Sequence, residues 1–192
     1  MSDLRILGFG GTTSPSSSTL SALRVVLSAA EAAGAKVELL HAGELALPMY
    51  EWGMAPTESV DRFVDATQRA DALVWSSPLY HGTISGLFKN AIDWLELLSD
   101  RAPAYLTDKP VGLVSVSGGS QSLSAITTME QIVRSLRGWT VPLVVPIHRA
   151  SEVITREGAV TDERVHGQLE QLGRKVVRAA KLFRSAPPRT TG

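Results

Sequence analysis

Leu4-Arg5-Ile6-Leu7-Gly8-Phe9-Gly10-Gly11 leads into Thr12-Thr13-Ser14-Pro15-Ser16-Ser17-Ser18-Thr19, and beyond it Leu20, Leu23, Val26, Leu27 and Ala30 recur at helical spacing. The apolar run over residues 4–9 suits a strand buried on both faces and stopped by flexible glycines. The later periodicity predicts a helix that closes near Gly34. A buried strand, a hydroxyl-rich loop and a helix, in that order, form the first half of a parallel crossover unit.

The same alternation continues down the chain. Residues 36–40 read as a second strand, 57–70 as a helix, 72–76 (Ala-Leu-Val-Trp-Ser) as a third strand and 87–98 as a helix. Residues 111–116 read as a fourth strand, 122–136 as a helix, 141–145 as a fifth strand and 160–183 as the closing helix. Short apolar runs alternating with helices of a dozen residues or more predict an α/β chain with a parallel sheet covered on both faces. Each parallel connection needs a helix-sized, right-handed crossover. At 192 residues one domain over residues 1–184 is expected, with the unpatterned tail 185–192 (Ser-Ala-Pro-Pro-Arg-Thr-Thr-Gly) disordered.

Composition removes several function classes. Lys+Arg 19 balances Asp+Glu 19, so no general attraction for nucleic acid or anionic lipid is expected. Cysteine is absent and the histidines at 41, 81, 148 and 166 are scattered, which argues against a metal site. The first residues run straight into a strand, and no apolar stretch approaches the ~20 residues of a membrane helix, so no membrane association and a cytoplasmic location are expected.

In an open parallel sheet, ligands bind beyond the carboxyl ends of the strands. The first loop runs into a helix N-terminus, where free N–H groups and the helix dipole favour a phosphate and hydroxyls add hydrogen bonds. Gly8-Phe9-Gly10-Gly11-Thr12-Thr13 has Thr13 where a dinucleotide fingerprint needs its third glycine, and no P-loop lysine follows. The loop after strand three, Ser76-Ser77-Pro78-Leu79-Tyr80-His81-Gly82-Thr83-Ile84-Ser85-Gly86, sets an aromatic and an imidazole among small residues, suited to a flat heteroaromatic ring. After strand four, Ser115-Val116-Ser117-Gly118-Gly119-Ser120-Gln121 allows close backbone approach and free N–H groups for ring carbonyl oxygens.

The segment Ser77-Pro78-Leu79-Tyr80-His81-Gly82-Thr83-Ile84-Ser85-Gly86-Leu87-Phe88-Lys89-Asn90-Ala91-Ile92-Asp93-Trp94-Leu95 resembles the P-x-Y-x(n)-G-x-L-K-N-A-I-D-W stretch of the NADPH-dependent FMN reductase family. That family includes the alkanesulfonate-system flavin reductases and related quinone and azo reductases, and the likeness runs over residues 4–145. The resemblance implies a flavodoxin-like three-layer α/β sandwich, a doubly wound five-stranded parallel sheet in the order 2-1-3-4-5. It implies FMN as cofactor, with NADPH or NADH as hydride donor. By resemblance Thr12, Ser14, Ser16, Ser17, Ser18 and Thr19 hold the phosphate, Pro78, Leu79, Tyr80 and His81 contact the isoalloxazine, and Ser117, Gly118, Gly119 and Ser120 contact its far edge.

The first loop departs from the family's G-S-x-R-x-x-S pattern in lacking the Arg, and is closer to the Ser-rich sulfonate-system variant. A charge-assisted phosphate contact is therefore missing, and weaker FMN affinity is expected. Stacking and orienting two rings for hydride transfer needs no acid–base group, so none is assigned. In the family the region of residues 90–94 packs against a partner subunit, which implies a homodimer or homotetramer; an exposed Lys89–Asp93 ion pair is the plainer reading of that helix face. Residues 47–54, rich in large side chains, either close over this site or a neighbour's, or pack on their own domain.

Three readings remain at this point. The first is a reductase that releases reduced FMN to a monooxygenase; the second retains FMN and reduces a quinone, azo dye or metal ion. The third is a flavodoxin-like carrier or flavin-binding module, against which the neutral charge argues. A hydrolase is disfavoured because no G-x-S-x-G elbow occurs. Spacing alone identifies no ribose-recognition position, so NADPH and NADH stay undistinguished.

Overall fold

The computed structural model describes residues 3–14, 16–41 and 43–185. The elements run β1 (Arg5–Gly10), α1 (Ser18–Ala32), β2 (Lys36–Leu40), α2 (Glu58–Arg69), β3 (Ala72–Tyr80), β4 (Thr83–Ile84) and α3 (Gly86–Asp93). They continue with a 3-10 turn (Trp94–Leu98), β5 (Pro110–Val116), α4 (Leu123–Ser135), β6 (Trp139–Ile147), α5 (Ala150–Val153) and α6 (Glu163–Ser185). Five parallel strands lie in the order β2-β1-β3-β5-β6, and β4 pairs antiparallel with the end of β3. This is the expected flavodoxin-like sheet; β4, a short strand that the apolar pattern does not announce, only shifts the numbering of the last two.

Strand alternation builds the two faces. Leu7, Phe9, Leu73, Trp75 and Leu113 point to the side of α2, α3 and α4, and their neighbours Ile6, Val74 and Val114 point to the side of α1 and α6. On the first face Phe9 packs against Phe63, Trp75 and Phe88 with ring centroids 5.3, 5.8 and 5.5 Å away, each buried ring worth roughly 1.5–3 kcal/mol. On the second face α1 and α6 touch backbone to side: a Cβ at Gly173 would stand 2.3 Å from the Val26 carbonyl oxygen, so only glycine fits.

Boundaries differ from the sequence reading where tertiary pairing overrides pattern. The third strand continues past Ser76 to Tyr80, because Leu79 and Tyr80 pair with Ile84 and Thr83. His81 (φ 50) and Gly82 (φ 89) make the two-residue turn of this hairpin, both left-handed as a tight turn of that kind requires. Residues 94–98 tighten into a 3-10 turn instead of continuing the helix. The closing helix starts at Glu163, after an unanticipated α5 and an antiparallel bridge between Ile154 and Val160. Of the expected tail, Ser185 ends α6, and residues 186–192 lie outside the described residues.

Lys109 anchors the amino end of β5. Its ammonium, with the residue 8% exposed, donates to the carbonyls of Thr67 (2.9 Å), Gln68 (2.5 Å) and Ala70 (2.6 Å) at the end of α2. Burial pushes its pKa down from 10.5 to about 8, and nearby Asp71 opposes that shift.

Candidate functional site

Three connections meet at the carboxyl edge of the central strands: β1–α1, the β3–β4–α3 hairpin and β5–α4. Ser85 stitches the first two. Its hydroxyl donates to the Gly11 carbonyl (2.7 Å) and accepts from Phe88 N–H (3.2 Å) as the N-cap of α3, while its own N–H donates to Ser77 Oγ (3.2 Å). Gly11 N–H in turn donates to the Ser76 carbonyl (2.9 Å). A Cβ at Gly11 would lie 2.6 Å from Phe88 Cβ, so the backbone of the first loop rests directly on α3.

Within the β1–α1 loop the structure sorts the hydroxyls. Ser17 caps α1 by accepting from Leu20 N–H (3.2 Å), and Thr19 is buried, its carbonyl accepting from Ser76 Oγ (2.9 Å). Thr12 Oγ1 accepts from Ser14 N–H (3.2 Å) and shapes the turn. Ser14 and Ser16 are exposed, their hydroxyls 3.5 Å apart, and Ser18 is half-buried. Among the described residues the N–H groups of Ser18 and Thr19, at the first positions of α1, have no acceptor. Free donors at a helix start, ringed by neutral hydroxyls, fit a phosphate.

The hairpin carries the second part. Pro78 is buried, Leu79 is half-buried, and Tyr80 (55% exposed) and His81 stand out at the turn. Thr83 Oγ1 lies 3.0 Å from Thr128 Oγ1, which ties the hairpin to α4.

The β5–α4 loop forms the third part. Ser117 is turned inward: its hydroxyl donates to the Gly119 carbonyl (2.8 Å) and lies 2.6 Å from Ser122 Oγ, which donates to the Ile147 carbonyl (2.6 Å). Its side chain therefore shapes the loop, whereas Gly118, Gly119 and Ser120 are exposed. A Cβ on either glycine would meet nothing within 4 Å, and the N–H groups of Gly118, Gly119 and Ser120 have no acceptor among the described residues. Such open, donor-rich backbone fits the carbonyl edge of a flat ring.

The structure thus brings all three expected loops to one edge. It turns Thr19 and the Ser117 side chain inward, away from the expected contact surface. Sequence reasoning missed Ser85, Ser122, His148 and Arg149. Ser85 had a legible signal, a serine immediately ahead of an apolar helix; the bonds from Ser122 to Ile147, Ser122 to His148 and Arg149 to Gly119 span 25 residues or more and left none.

Leu47, Pro48 and Tyr50 pack on their own domain. Asn90, 7% exposed, accepts from Tyr50 N–H (2.8 Å) and donates to the carbonyls of Leu47 (3.2 Å) and Pro48 (3.0 Å), and Trp94 Nε1 donates to Pro48 (2.8 Å). Asn90 and Trp94 therefore spend their polar atoms inside the chain. Lys89 and Asp93 form the i,i+4 pair on the outer face (2.5 Å). Met49 and Trp52 project outward, 77% and 80% exposed.

Comparison with known proteins agrees with this architecture. The family profile described as NADPH-dependent FMN reductase matches residues 4–152. An FMN-dependent NADPH-azoreductase of Staphylococcus haemolyticus (strain JCSC1435) is 38% identical over 90 residues, 47% of this chain and 45% of that protein. The chain spans about half the length of the curated relatives it matches. FerB, a flavoenzyme NAD(P)H:(acceptor) oxidoreductase from Paracoccus denitrificans, superposes with a TM-score of 0.72 at 24% identity, covering 94% of this chain and 98% of that one. An NADH:FMN oxidoreductase in its apo form gives 0.71 at 20% identity, covering 96% and 92%. At such identities the two structures share the fold.

Proposed function

We propose that this chain, which belongs to the NADPH-dependent FMN reductase family, is an oxidoreductase that binds FMN at the carboxyl edge of its sheet and reduces it with NADPH. The observation that carries the proposal is the junction of three cross-linked loops whose unused N–H groups, at Ser18 and Thr19 and at Gly118, Gly119 and Ser120, match a phosphate at one end and ring carbonyls at the other.

Residues 1–184 act as one FMN-binding domain. Thr12, Ser14, Ser16 and Ser18 hold the phosphate with neutral hydroxyls, joined by the main chain of Ser17 and Thr19. Pro78, Leu79, Tyr80 and His81 line the ring, and the backbone of Ser117, Gly118, Gly119 and Ser120 meets its far edge. Ser85 keeps the phosphate loop and the hairpin in mutual register. FMN, when bound, supplies a ring that takes a hydride and passes electrons on. The protein's part is to orient the two partners and to exclude water, and it needs no acid or base side chain.

Two uses of the reduced flavin follow. One releases it to a flavin-dependent monooxygenase. The other retains FMN and reduces azo compounds or quinones, and the 38% identity to FMN-dependent NADPH-azoreductases favours it. Among the described residues no helix is long and apolar enough to cross a membrane, which is compatible with a cytoplasmic enzyme. The exposed Met49, Trp52 and Met54, next to the pinned Leu47, Pro48 and Tyr50, support a homodimer or homotetramer, testable by light scattering.

Mixing the protein with FMN and NADPH without oxygen tests the reading. Bleaching of oxidised-flavin absorbance that depends on the protein supports it. Flavin that binds and stays oxidised replaces it with an electron carrier or binding module.

A further inference from the structure

The geometry points to Arg149 as the residue that distinguishes NADPH from NADH, by pairing its guanidinium with the phosphate on the adenosine ribose; the inference rests on the reductase reading. Arg149 follows the last residues of β6 and stands beside the exposed glycines of the β5–α4 loop. Four hydrogen bonds lock the two segments into one unit. Arg149 N–H donates to Gly119 O (3.0 Å), Ala150 N–H to Ser117 O (2.9 Å), Ser117 N–H to Ile147 O (2.9 Å) and Ser122 Oγ to Ile147 O (2.6 Å). His148 Nδ1 adds a longer contact from Ser122 N–H (3.4 Å).

Arg149 and Ala150 enter this network only through their main-chain N–H groups, so the Arg149 side chain takes no part in holding the loop. Its backbone is left-handed (φ 45, ψ 54), a conformation that strains an arginine and costs a glycine almost nothing. The guanidinium has one described partner, Glu152, at 3.8 Å, and both side chains are 66% exposed. A pair that long and that exposed is weak and readily exchanged for a better anion. A phosphate monoester offers a dianion with oxygens matched to the guanidinium fork. The β1–α1 loop holds no cation. Arg149 thus brings a permanent positive charge to the rim of the proposed FMN site, beside the loop proposed to meet the far edge of the ring.

The test uses the full chain with FMN present and compares wild type with Arg149→Gln and Glu152→Gln. Calorimetric titration with 2′,5′-ADP and with 5′-AMP reads the phosphate directly. Wild type is expected to bind 2′,5′-ADP about tenfold tighter than 5′-AMP, Arg149→Gln to lose that preference, and Glu152→Gln to strengthen it. In steady state Arg149→Gln raises KM for NADPH about tenfold, with kcat and the KM for NADH within twofold of wild type. An unchanged preference, or KM values for both nucleotides rising together, overturns the inference and makes Arg149 a loop residue only. If wild type oxidises neither nucleotide, the reductase reading fails, and the 2′,5′-ADP titration still decides Arg149 separately.

Discussion

Replacing Ser85 with alanine isolates the stitch between the proposed phosphate loop and the hairpin. Ser85 is 1% exposed and its hydroxyl does two things: it caps α3 through Phe88 N–H and it satisfies the Gly11 carbonyl. Losing an N-cap costs about 1 kcal/mol, and removing the partner of a buried carbonyl costs about 1 more. The sum, about 2 kcal/mol, corresponds to a fall in Tm of about 4–8 °C for a chain of this size. No cavity larger than a hydroxyl is left, so no packing loss is added. The assay is urea unfolding of the apoprotein followed by tryptophan fluorescence, with the m-value held constant as the two-state check. FMN affinity measured on the same variant should fall several-fold, because the loop bearing the phosphate donors is freed at its first residue. A stability loss under about 0.5 kcal/mol would refute the assignment of both bonds to Ser85. A large loss of FMN affinity at full stability would also count against it, since it would make Ser85 a ligand contact.

Other perturbations separate the roles of neighbouring residues. Ser18→Ala or Thr12→Ala should weaken FMN binding by about 1–2 kcal/mol with the fold intact, whereas Ser17→Ala should cost about 1 kcal/mol of stability through the lost α1 cap; fluorescence titration and thermal melts read the two effects, and unchanged affinity in both of the first pair moves the phosphate elsewhere. Lys109 titrates at about 8 folded and 10.5 unfolded, so between those pH values the unfolded chain binds more protons and this group's contribution to stability rises with pH, by up to roughly 3 kcal/mol. Unfolding free energies of wild type and Lys109→Met at pH 7.5 and 10.5 should therefore diverge in favour of wild type, and a pH-independent difference rules the shift out. Gly173→Ala places a Cβ 2.3 Å from the Val26 carbonyl oxygen, so α6 must move off α1; a loss of more than about 2 kcal/mol is expected, and a neutral substitution would mean that the helices are less closely apposed.

The amino-acid sequence by itself determined the layered parallel sheet. A strand buried on both faces must be apolar at nearly every position, and a parallel crossover must contain a helix, so residues 4–9, 72–76 and 111–116 announce themselves between amphipathic stretches. It also located the three loops, because in such a sheet the connections at the carboxyl ends are known once the strands are known. Only the tertiary structure decided what each residue in those loops does. The hydroxyls of residues 12–19 look equivalent in one dimension, yet Ser17 is spent on a cap and Thr19 faces the core, while the Ser18 N–H has no acceptor among the described residues. Similarly the third strand outruns its apolar signal, since a two-residue partner, β4, and the left-handed pair His81-Gly82 extend it. Ser85 reaches across 74 residues to Gly11, Lys109 across 39 to Ala70, and Arg149 across the sheet edge to Gly119. Contacts of that range follow from how the chain is wound, and local periodicity carries no trace of them.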